Sequence, residues 1–222
     1  TTSMNFDLMA ERYFSSIGLI SAGLFYKSLN DFIYFEQIDD FNDPVSGNIY
    51  EDYVKPKNGA EATLYGFEVA FQQQLTFLPG ILRNLGVYAN YTYTYSEADN
   101  PQFREDAETD DTIELPGTAP HVLNAAVSYQ SGPLALGVSY VYTAPYLDGD
   151  DMDLTPGLER YYDKVNYLDF NGSYAFTDQL RLFFEANNLL NQPLRYYAGK
   201  SERNYQTEYY DRRVSFGLKF DM

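Results

Sequence analysis

Apolar and polar residues alternate along most of this 222-residue chain. In residues 213–220, Val214, Phe216, Leu218 and Phe220 occupy every second position, with polar or small residues between them. Side chains point to opposite faces at successive positions of a β-strand, so this pattern predicts a strand with one apolar face. Because the pattern recurs along the chain, the sequence predicts an all-β protein of about nine antiparallel strands.

Connections of two kinds separate the predicted strands. The strands cover approximately residues 4–13, 20–36, 65–72, 87–96, 118–129, 134–142, 168–176, 180–187 and 213–220. Short connections alternate with long ones, the short ones at 15–16, 78–83, 131–132 and 177–178, the long ones at 39–58, 97–117, 148–163 and around 201. Tight turns at one rim and long loops at the other are typical of transmembrane β-barrels. Near 187–191 the alternation fails, which predicts a bulge or short helical turn before Pro193.

The odd number of predicted strands bears on whether they form a whole barrel. Single-chain bacterial barrels have an even number of strands. An open sheet edge is not viable in lipid, because every backbone polar group there needs a partner. We therefore expect residues 1–222 to be the C-terminal portion of a larger transmembrane barrel, with its N-terminal strands absent from this sequence.

Composition favours a membrane barrel and excludes several other classes. Tyrosine and phenylalanine bring the aromatic fraction to 18%, which suits the aromatic girdles at membrane interfaces. No apolar run is long enough for a transmembrane helix. The net charge of −17 argues against nucleic acid as a partner, and the absence of cysteine excludes disulfides and thiolate metal sites. We expect a bacterial outer-membrane location, in contact with lipid and lipopolysaccharide.

Several short segments together resemble one family. They are Gly23-Leu24-Phe25-Tyr26-Lys27 with Asp31-Phe32-Ile33, Tyr65-Gly66-Phe67-Glu68, Glu114-Leu115-Pro116-Gly117-Thr118-Ala119-Pro120-His121, Glu185-Ala186-Asn187-Asn188-Leu189-Leu190-Asn191 and Arg213-Val214-Ser215-Phe216-Gly217-Leu218. In this order, across the whole chain, they resemble the C-terminal part of the barrel of TonB-dependent outer-membrane receptors.

The resemblance implies a barrel of twenty-two strands, closed by an N-terminal plug domain that this sequence lacks. It implies uptake of a large scarce solute of the ferric siderophore, cobalamin or oligosaccharide class. The energy would come from the TonB–ExbB–ExbD complex, which binds a region N-terminal to the plug. The resemblance also implies that the barrel-assembly machinery recognises the C-terminal strand. The chain ends Phe220-Asp221-Met222, so Phe220 is the candidate signal residue. No cofactor is expected.

Two sets of residues are candidates for a binding role. Tyrosines near the long connections suit stacking on a sugar or an aromatic chelator, although aromatic girdles place tyrosines there too. They are Tyr142, Tyr146, Tyr161, Tyr162, Tyr196 and Tyr197, with Tyr205 and Tyr209 further along. The second set consists of inward polar residues, which would line the lumen or hold the plug: Glu68, Gln72, Asn90, Asp169, Arg181, Glu185 and Arg213. Ordinary wetting of a polar lumen is the simpler interpretation of this second set.

Metal and catalytic sites receive little support. Asp148, Asp150, Asp151 and Asp153 are weak Ca²⁺ candidates, because their spacing does not match an EF-hand loop and a solvated acidic loop is the simpler interpretation. His121 is the single histidine, so a structural role is favoured over metal binding. No Ser-His-Asp arrangement or phosphate-binding loop is found, and we expect no enzyme activity.

Two alternatives remain. A passive porin would share the wall of the barrel but would have no plug. A soluble carbohydrate-binding β-sandwich would instead bury the apolar rows against a second sheet and would fold without detergent.

Overall fold

A computed structural model describes residues 1–14, 18–38, 40–51, 53–99, 112–148 and 157–220. Strands dominate the described part of the chain. In chain order they are β1 (Thr2–Phe14), β2 (Gly18–Ile38), β3 (Phe41–Asn42), β4 (Ile49–Tyr50), β5 (Tyr53–Gln74), β6 (Leu85–Asp99), β7 (Thr112–Ile113), β8 (His121–Ser131), β9 (Leu134–Thr143), β10 (Tyr146–Leu147), β11 (Arg160–Tyr162), β12 (Val165–Ala175), β13 (Leu180–Asn187), β14 (Leu194–Ala198), β15 (Asn204–Glu208) and β16 (Arg213–Phe220).

Nine long strands form one antiparallel sheet, in the order β1-β2-β5-β6-β8-β9-β12-β13-β16, with the short β7 beside β6. The nine strands predicted from the alternation pattern are thereby confirmed. Within the described residues β1 and β16 are the two edges of this sheet and do not pair with each other. The sheet is therefore open in this chain.

The sheet is a single layer with one apolar face. Leu8, Leu24, Phe67 and Tyr93 align across four strands, because each is the register partner of the next. Leu8, Leu24 and Phe67 of this row are 71%, 59% and 38% exposed. Described residues provide no second sheet to cover the row. This arrangement contradicts the β-sandwich alternative, which requires the apolar rows to be buried.

Connections differ between the two ends of the sheet, as predicted. At one end the long strands are joined by residues 15–17, 75–84, 132–133 and 176–179, and the second of these contains the 3₁₀ turn Gly80–Asn84. At the other end the joining residues are 39–52, 100–120, 144–164 and 188–212. We call the latter the long-connection end. No helix among the described residues is long and apolar enough to cross a membrane.

The predicted loop at 39–58 is wrong in its second half. Strands β2 and β5 remain paired from Leu29↔Ala62 through two register shifts to Ile38↔Tyr53. The sequence suggested a loop because it contains Pro56. Pro56 lies in the part of β5 that precedes Ala62, the first residue of β5 paired with β6. This part of β5 is an edge segment, and edge segments tolerate proline. Phe41 stacks on Tyr53 with 4.1 Å between ring centroids, which joins the short β3–β4 hairpin to the tall β2–β5 hairpin.

Candidate functional site

Two neighbouring long connections combine into a second, smaller sheet. Connection 144–164 contains β10 and β11, and connection 188–212 contains β14 and β15. These strands form a four-stranded sheet in the order β10-β11-β14-β15, which we call the rim sheet. Prediction of simple loops at 148–163 and around 201 is therefore incomplete. The rim strands are short, and the pair β11–β14 joins two separate connections, so alternation within one segment does not reveal them.

Five of the six predicted tyrosines meet in the rim sheet. Tyr146, Tyr162 and Tyr196 are register partners in one row. Ring centroids lie 5.4 Å apart between Tyr146 and Tyr162, and 5.1 Å apart between Tyr162 and Tyr196. In the adjacent row Tyr161 pairs with Tyr197, and their rings stack at 5.2 Å with 7° between the planes. Since adjacent strand positions point to opposite faces, the two rows occupy opposite faces of the rim sheet.

The row containing Tyr161 is the more buried of the two. Leu147, its third member, is 2% exposed and Tyr197 is 8% exposed. Burial, reinforced by the charges of Glu114 and Glu159, raises the pKa of Tyr161 to about 12. Burial also raises the pKa of Tyr197 and that of the Glu114 carboxyl. This face therefore disfavours added negative charge, because ionising any of these groups leaves a poorly solvated anion.

The opposite face is organised by an arginine held between aromatic rings. Arg160 has its guanidinium carbon 5.1 Å from the ring centre of Tyr196 and 5.6 Å from that of Tyr205. The same side chain donates from Nε to Asp148 Oδ2 at 2.6 Å. Asp148 is only 8% exposed. This half-buried ion pair lies within connection 144–164, and the contacts of Arg160 with the rings of Tyr196 and Tyr205 join it to connection 188–212.

A second ion pair joins connection 144–164 directly to connection 188–212. Arg195 of β14 donates from Nη1 to Asp163 Oδ2 at 2.6 Å, and the Asp163 backbone N–H donates to the Arg195 carbonyl at 2.9 Å. Arg195 also donates from Nε to Asn204 Oδ1 at 3.2 Å and from Nη2 to the Ser201 carbonyl. The guanidinium thus has partners on three segments of the rim.

Asparagine and glutamine side chains hold the break between β13 and β14. Asn188 and Asn191 adopt φ of 56° and 52°, a left-handed conformation in which asparagine is enriched. Gln192 donates its backbone N–H to Asn188 Oδ1 at 2.7 Å and its Nε2 to the Lys164 carbonyl at 3.0 Å. The Asn188 backbone N–H donates to Asp169 Oδ1 at 2.8 Å. The predicted failure of alternation at 187–191 is confirmed, and it places β14 beside β11.

The two connections also touch through bare backbone. A Cβ atom on Gly199 would lie 2.0 Å from the Gly157 carbonyl oxygen, and Gly199 has a φ of +66°. Its N–H donates to the Glu159 carbonyl at 2.9 Å, and Arg203 donates from Nη1 to the Gly157 carbonyl at 2.9 Å. Glycine is required at position 199 by both the conformation and the contact.

The remaining predicted tyrosines lie outside the two stacked rows. Tyr142 belongs to β9, where it pairs with Leu123 and Asn166. Tyr205 lies on β15 and contacts Arg160, while Tyr209 follows β15 and is 62% exposed. Sequence reasoning missed Arg160, Arg195 and Glu114, which complete the rim site. The runs Tyr161-Tyr162 and Tyr196-Tyr197 were the available signal for pairing of these segments.

The seven predicted inward residues share one face of the large sheet. Register partners of antiparallel strands lie on the same face, and so do positions two apart on one strand. These relations connect Glu68, Gln72, Asn90, Asp169, Arg181, Glu185 and Arg213. We call this the polar face. A groove of about 390 Å³ includes Glu68 on this face, together with Asp7, Phe25, Lys27 and Thr92.

One of the four predicted metal candidates lies among the described residues. Asp148 accepts from Arg160, as stated above, whereas Asp150, Asp151 and Asp153 lie outside the described residues. In the described ranges no group of three or more His, Cys, Asp or Glu residues is suited to a metal ion. His121 Nδ1 is 2.8 Å from the hydroxyl of Tyr91, and its ring centroid lies 5.3 Å from that of Tyr93.

Residues 1–189 match the sequence model of the family described as TonB dependent receptor-like, beta-barrel. The chain belongs to this family. Its structure is similar to that of the copper transporter OprC (17% identity, TM-score 0.64), covering 98% of this chain and 31% of that one. It is also similar to the unliganded ferric citrate transporter FecA (16% identity, TM-score 0.64), covering 97% of this chain and 30% of that one.

A third similar structure is the ferric yersiniabactin uptake receptor FyuA from Yersinia pestis (16% identity, TM-score 0.64), covering 99% of this chain and 30% of that one. No curated protein matches the chain by sequence. The chain thus spans less than a third of the length of the three structures described. Its sheet is part of the wall of a TonB-dependent receptor barrel, and the resemblance noted in the sequence is confirmed.

Proposed function

We propose that this chain is the C-terminal wall of an outer-membrane receptor that imports a large scarce solute with TonB-derived energy. One observation carries the proposal: five tyrosines predicted to bind ligand come together in the rim sheet at the long-connection end. Family membership supports a transport role, and the geometry supports ligand contact at this end. The wall itself supplies the exposed apolar face that lipid would cover.

The polar face is the proposed contact surface for the plug. The groove around Glu68 offers two carboxylates, an ammonium and the ring of Phe25 within one concave surface. Such a mixed lining suits the polar surface of a globular domain better than it suits lipid. In this proposal Gln72, Asn90, Asp169 and the other residues of the polar face contact the plug or line a solute path.

The apolar face and the last strand have proposed partners of their own. Phe216 is 79% exposed and Phe220 is 66% exposed, which suits burial of both in lipid. We assign Phe220 to recognition by the barrel-assembly machinery. Contacts with lipopolysaccharide would follow at the long-connection end, where the wall meets the outer leaflet.

A bilayer recording of the purified full-length receptor, paired with capture of the periplasmic domain of TonB, tests the function. A plugged receptor is expected to give no steady conductance and to retain the TonB domain on a column. An open, steady conductance without TonB capture would establish a passive porin instead. Neither measurement requires knowledge of the solute.

A further inference from the structure

The cationic side chains of the rim sheet already have partners. Arg160 is bound to Asp148 and lies against two tyrosine rings. Arg195 is bound to Asp163 and to two further oxygen atoms. Their side chains are only 20% and 23% exposed. A polyanionic solute binds tightly where guanidinium groups converge with donors available for it, and these two groups are committed to internal partners.

Releasing these arginines to an anion would be costly. The carboxylates of Asp148 and Asp163 are 11% and 12% exposed at the side chain. If either arginine turned toward a solute, a poorly solvated carboxylate would remain without its counter-charge. Lys164 and Lys200, the lysines of the same connections, lie on the exposed surface, where a single lysine contributes little.

The sequence of the long connections adds a long-range effect. Residues 97–114 contain eight carboxylates and one arginine, and the whole chain carries a net charge of −17. Fields of like sign at the mouth of a binding cleft lower the local concentration of a charged solute. The charge of the chain therefore disfavours an anionic chelate before contact, and the two committed arginines offer it little after contact.

The exposed part of the rim has a different chemistry. Residues 204–210 read Asn-Tyr-Gln-Thr-Glu-Tyr-Tyr and include β15, an edge strand of the rim sheet. Tyr205, Tyr209 and Tyr210 are 57%, 62% and 71% exposed. They present rings next to amide and hydroxyl groups and next to the Glu208 carboxylate, which accepts from the Tyr210 hydroxyl and from Gln206 Nε2. Aromatic rings beside amide, hydroxyl and carboxylate groups suit sugar rings, which offer apolar C–H faces and many hydroxyls.

We infer that β15 and the residues after it, from 204 to 210, form a binding site for a neutral oligosaccharide. This inference rests on the proposed uptake function and specifies its solute class. Tyr205 is held in place by Arg160, whereas Tyr209 and Tyr210 provide the open rings. Anionic ferric chelates are excluded as the solute of this site.

The test measures binding by the purified full-length receptor in detergent, using isothermal titration calorimetry. Probes are neutral oligosaccharides of glucose, xylose and N-acetylglucosamine on one side, and ferric citrate and ferric enterobactin on the other. We expect a neutral oligosaccharide to bind with an affinity that changes little with salt, because no net charge is paired. Replacing both rings, Tyr209→Ala with Tyr210→Ala, is expected to weaken that binding about tenfold or more.

Tyr50→Ala is the matched control, because Tyr50 is a 46% exposed tyrosine of another long connection. It should leave oligosaccharide binding unchanged. Tight binding of a ferric chelate, or binding of none of the neutral oligosaccharides, would overturn the inference. So would an oligosaccharide affinity that the double variant does not reduce. In those cases the receptor would still capture the TonB domain and give no steady conductance. A wrong solute class is therefore distinguishable from a wrong transport function.

Discussion

Tyr161 and Tyr197 stack almost in parallel, although they belong to two different connections of the chain. Their contact is one of several that make connections 144–164 and 188–212 a single sheet. The contacts of Arg160 with Tyr196 and Tyr205, the ion pair of Arg195 with Asp163 and the backbone contact of Gly157 with Gly199 act between the same two connections. The rim sheet is therefore a cooperative unit, and its stability depends on contacts that can be removed one at a time.

Replacing Tyr161 by alanine is expected to open the rim sheet. The change removes a half-buried ring from the stacked row, which should lower the local stability by about 2–4 kcal/mol. Hydrogen exchange of the β11 and β14 amides in the full-length receptor measures the effect. Tyr161→Phe keeps the ring and should preserve protection. Equal exchange in the two variants would show that stacking contributes nothing.

Alkaline pH is expected to weaken the rim sheet through the same residue. The pKa of Tyr161 is raised from 10.0 to about 12, so the folded form retains the phenol proton more strongly than the unfolded form does. The contribution of the Tyr161 phenol to the free energy of unfolding is complete below about pH 10 and is lost as pH rises towards 12. Near-UV circular dichroism between these values should show the loss. Tyr161→Phe should remove part of the response, because Tyr197 with its raised pKa remains, and an unchanged response would contradict this assignment.

Removing only Asp163 from its ion pair with Arg195 should lower the stability of the protein more than replacing both residues by apolar ones. Asp163→Ala leaves a guanidinium that is 23% exposed without its main partner, and a loss of about 1–3 kcal/mol is expected. The double variant Asp163→Leu with Arg195→Met replaces both charges by apolar groups and should recover part of that loss. Thermal melting of the purified receptor, with protection of β14 amides, provides the comparison. A double variant worse than the single one would show that the charges themselves are required.

Gly66 and Gly23 form a matched pair in the wall. A Cβ on Gly66 would lie 1.9 Å from the Tyr93 carbonyl oxygen and 2.7 Å from Phe25 Cζ, whereas a Cβ on Gly23 meets nothing closer than 3.5 Å. We expect Gly66→Ala to reduce the folded fraction several-fold and Gly23→Ala to have little effect. Heat-modifiable migration on gels reports the folded barrel. Equal folding of the two variants would refute the predicted clash.

Strand placement was predictable from the sequence because alternation is a local property. Residues 213–220 and the other long strands each contain enough positions to show a period of two. The rim strands do not, since β10 has only Tyr146 and Leu147, and β11 has only three residues and pairs with β14 of another connection. The extended β2–β5 hairpin was missed for a related reason. Proline usually indicates a loop. The sequence does not show that Pro56 lies outside the part of β5 that pairs with β6, where proline is tolerated.

The tyrosines of the site were predictable as candidates, but their arrangement was not. Their type and their place near long connections indicated a binding role. Pairing of Tyr161 with Tyr197 depends on the register between β11 and β14, and pairing of Arg160 with Asp148 depends on that between β10 and β11. The register between β11 and β14 follows from the break at Asn188 and Gln192. The failure of alternation predicted where this break lies, but not its geometry.

The contact between Gly157 and Gly199 has a practical consequence for engineering this surface. Two loops that meet backbone to backbone cannot be lengthened or exchanged separately, so a foreign peptide spliced into either one would separate both. The hairpin tip near Val45, where that side chain is 93% exposed, has no such constraint. Display of an epitope on cells carrying this receptor should start there.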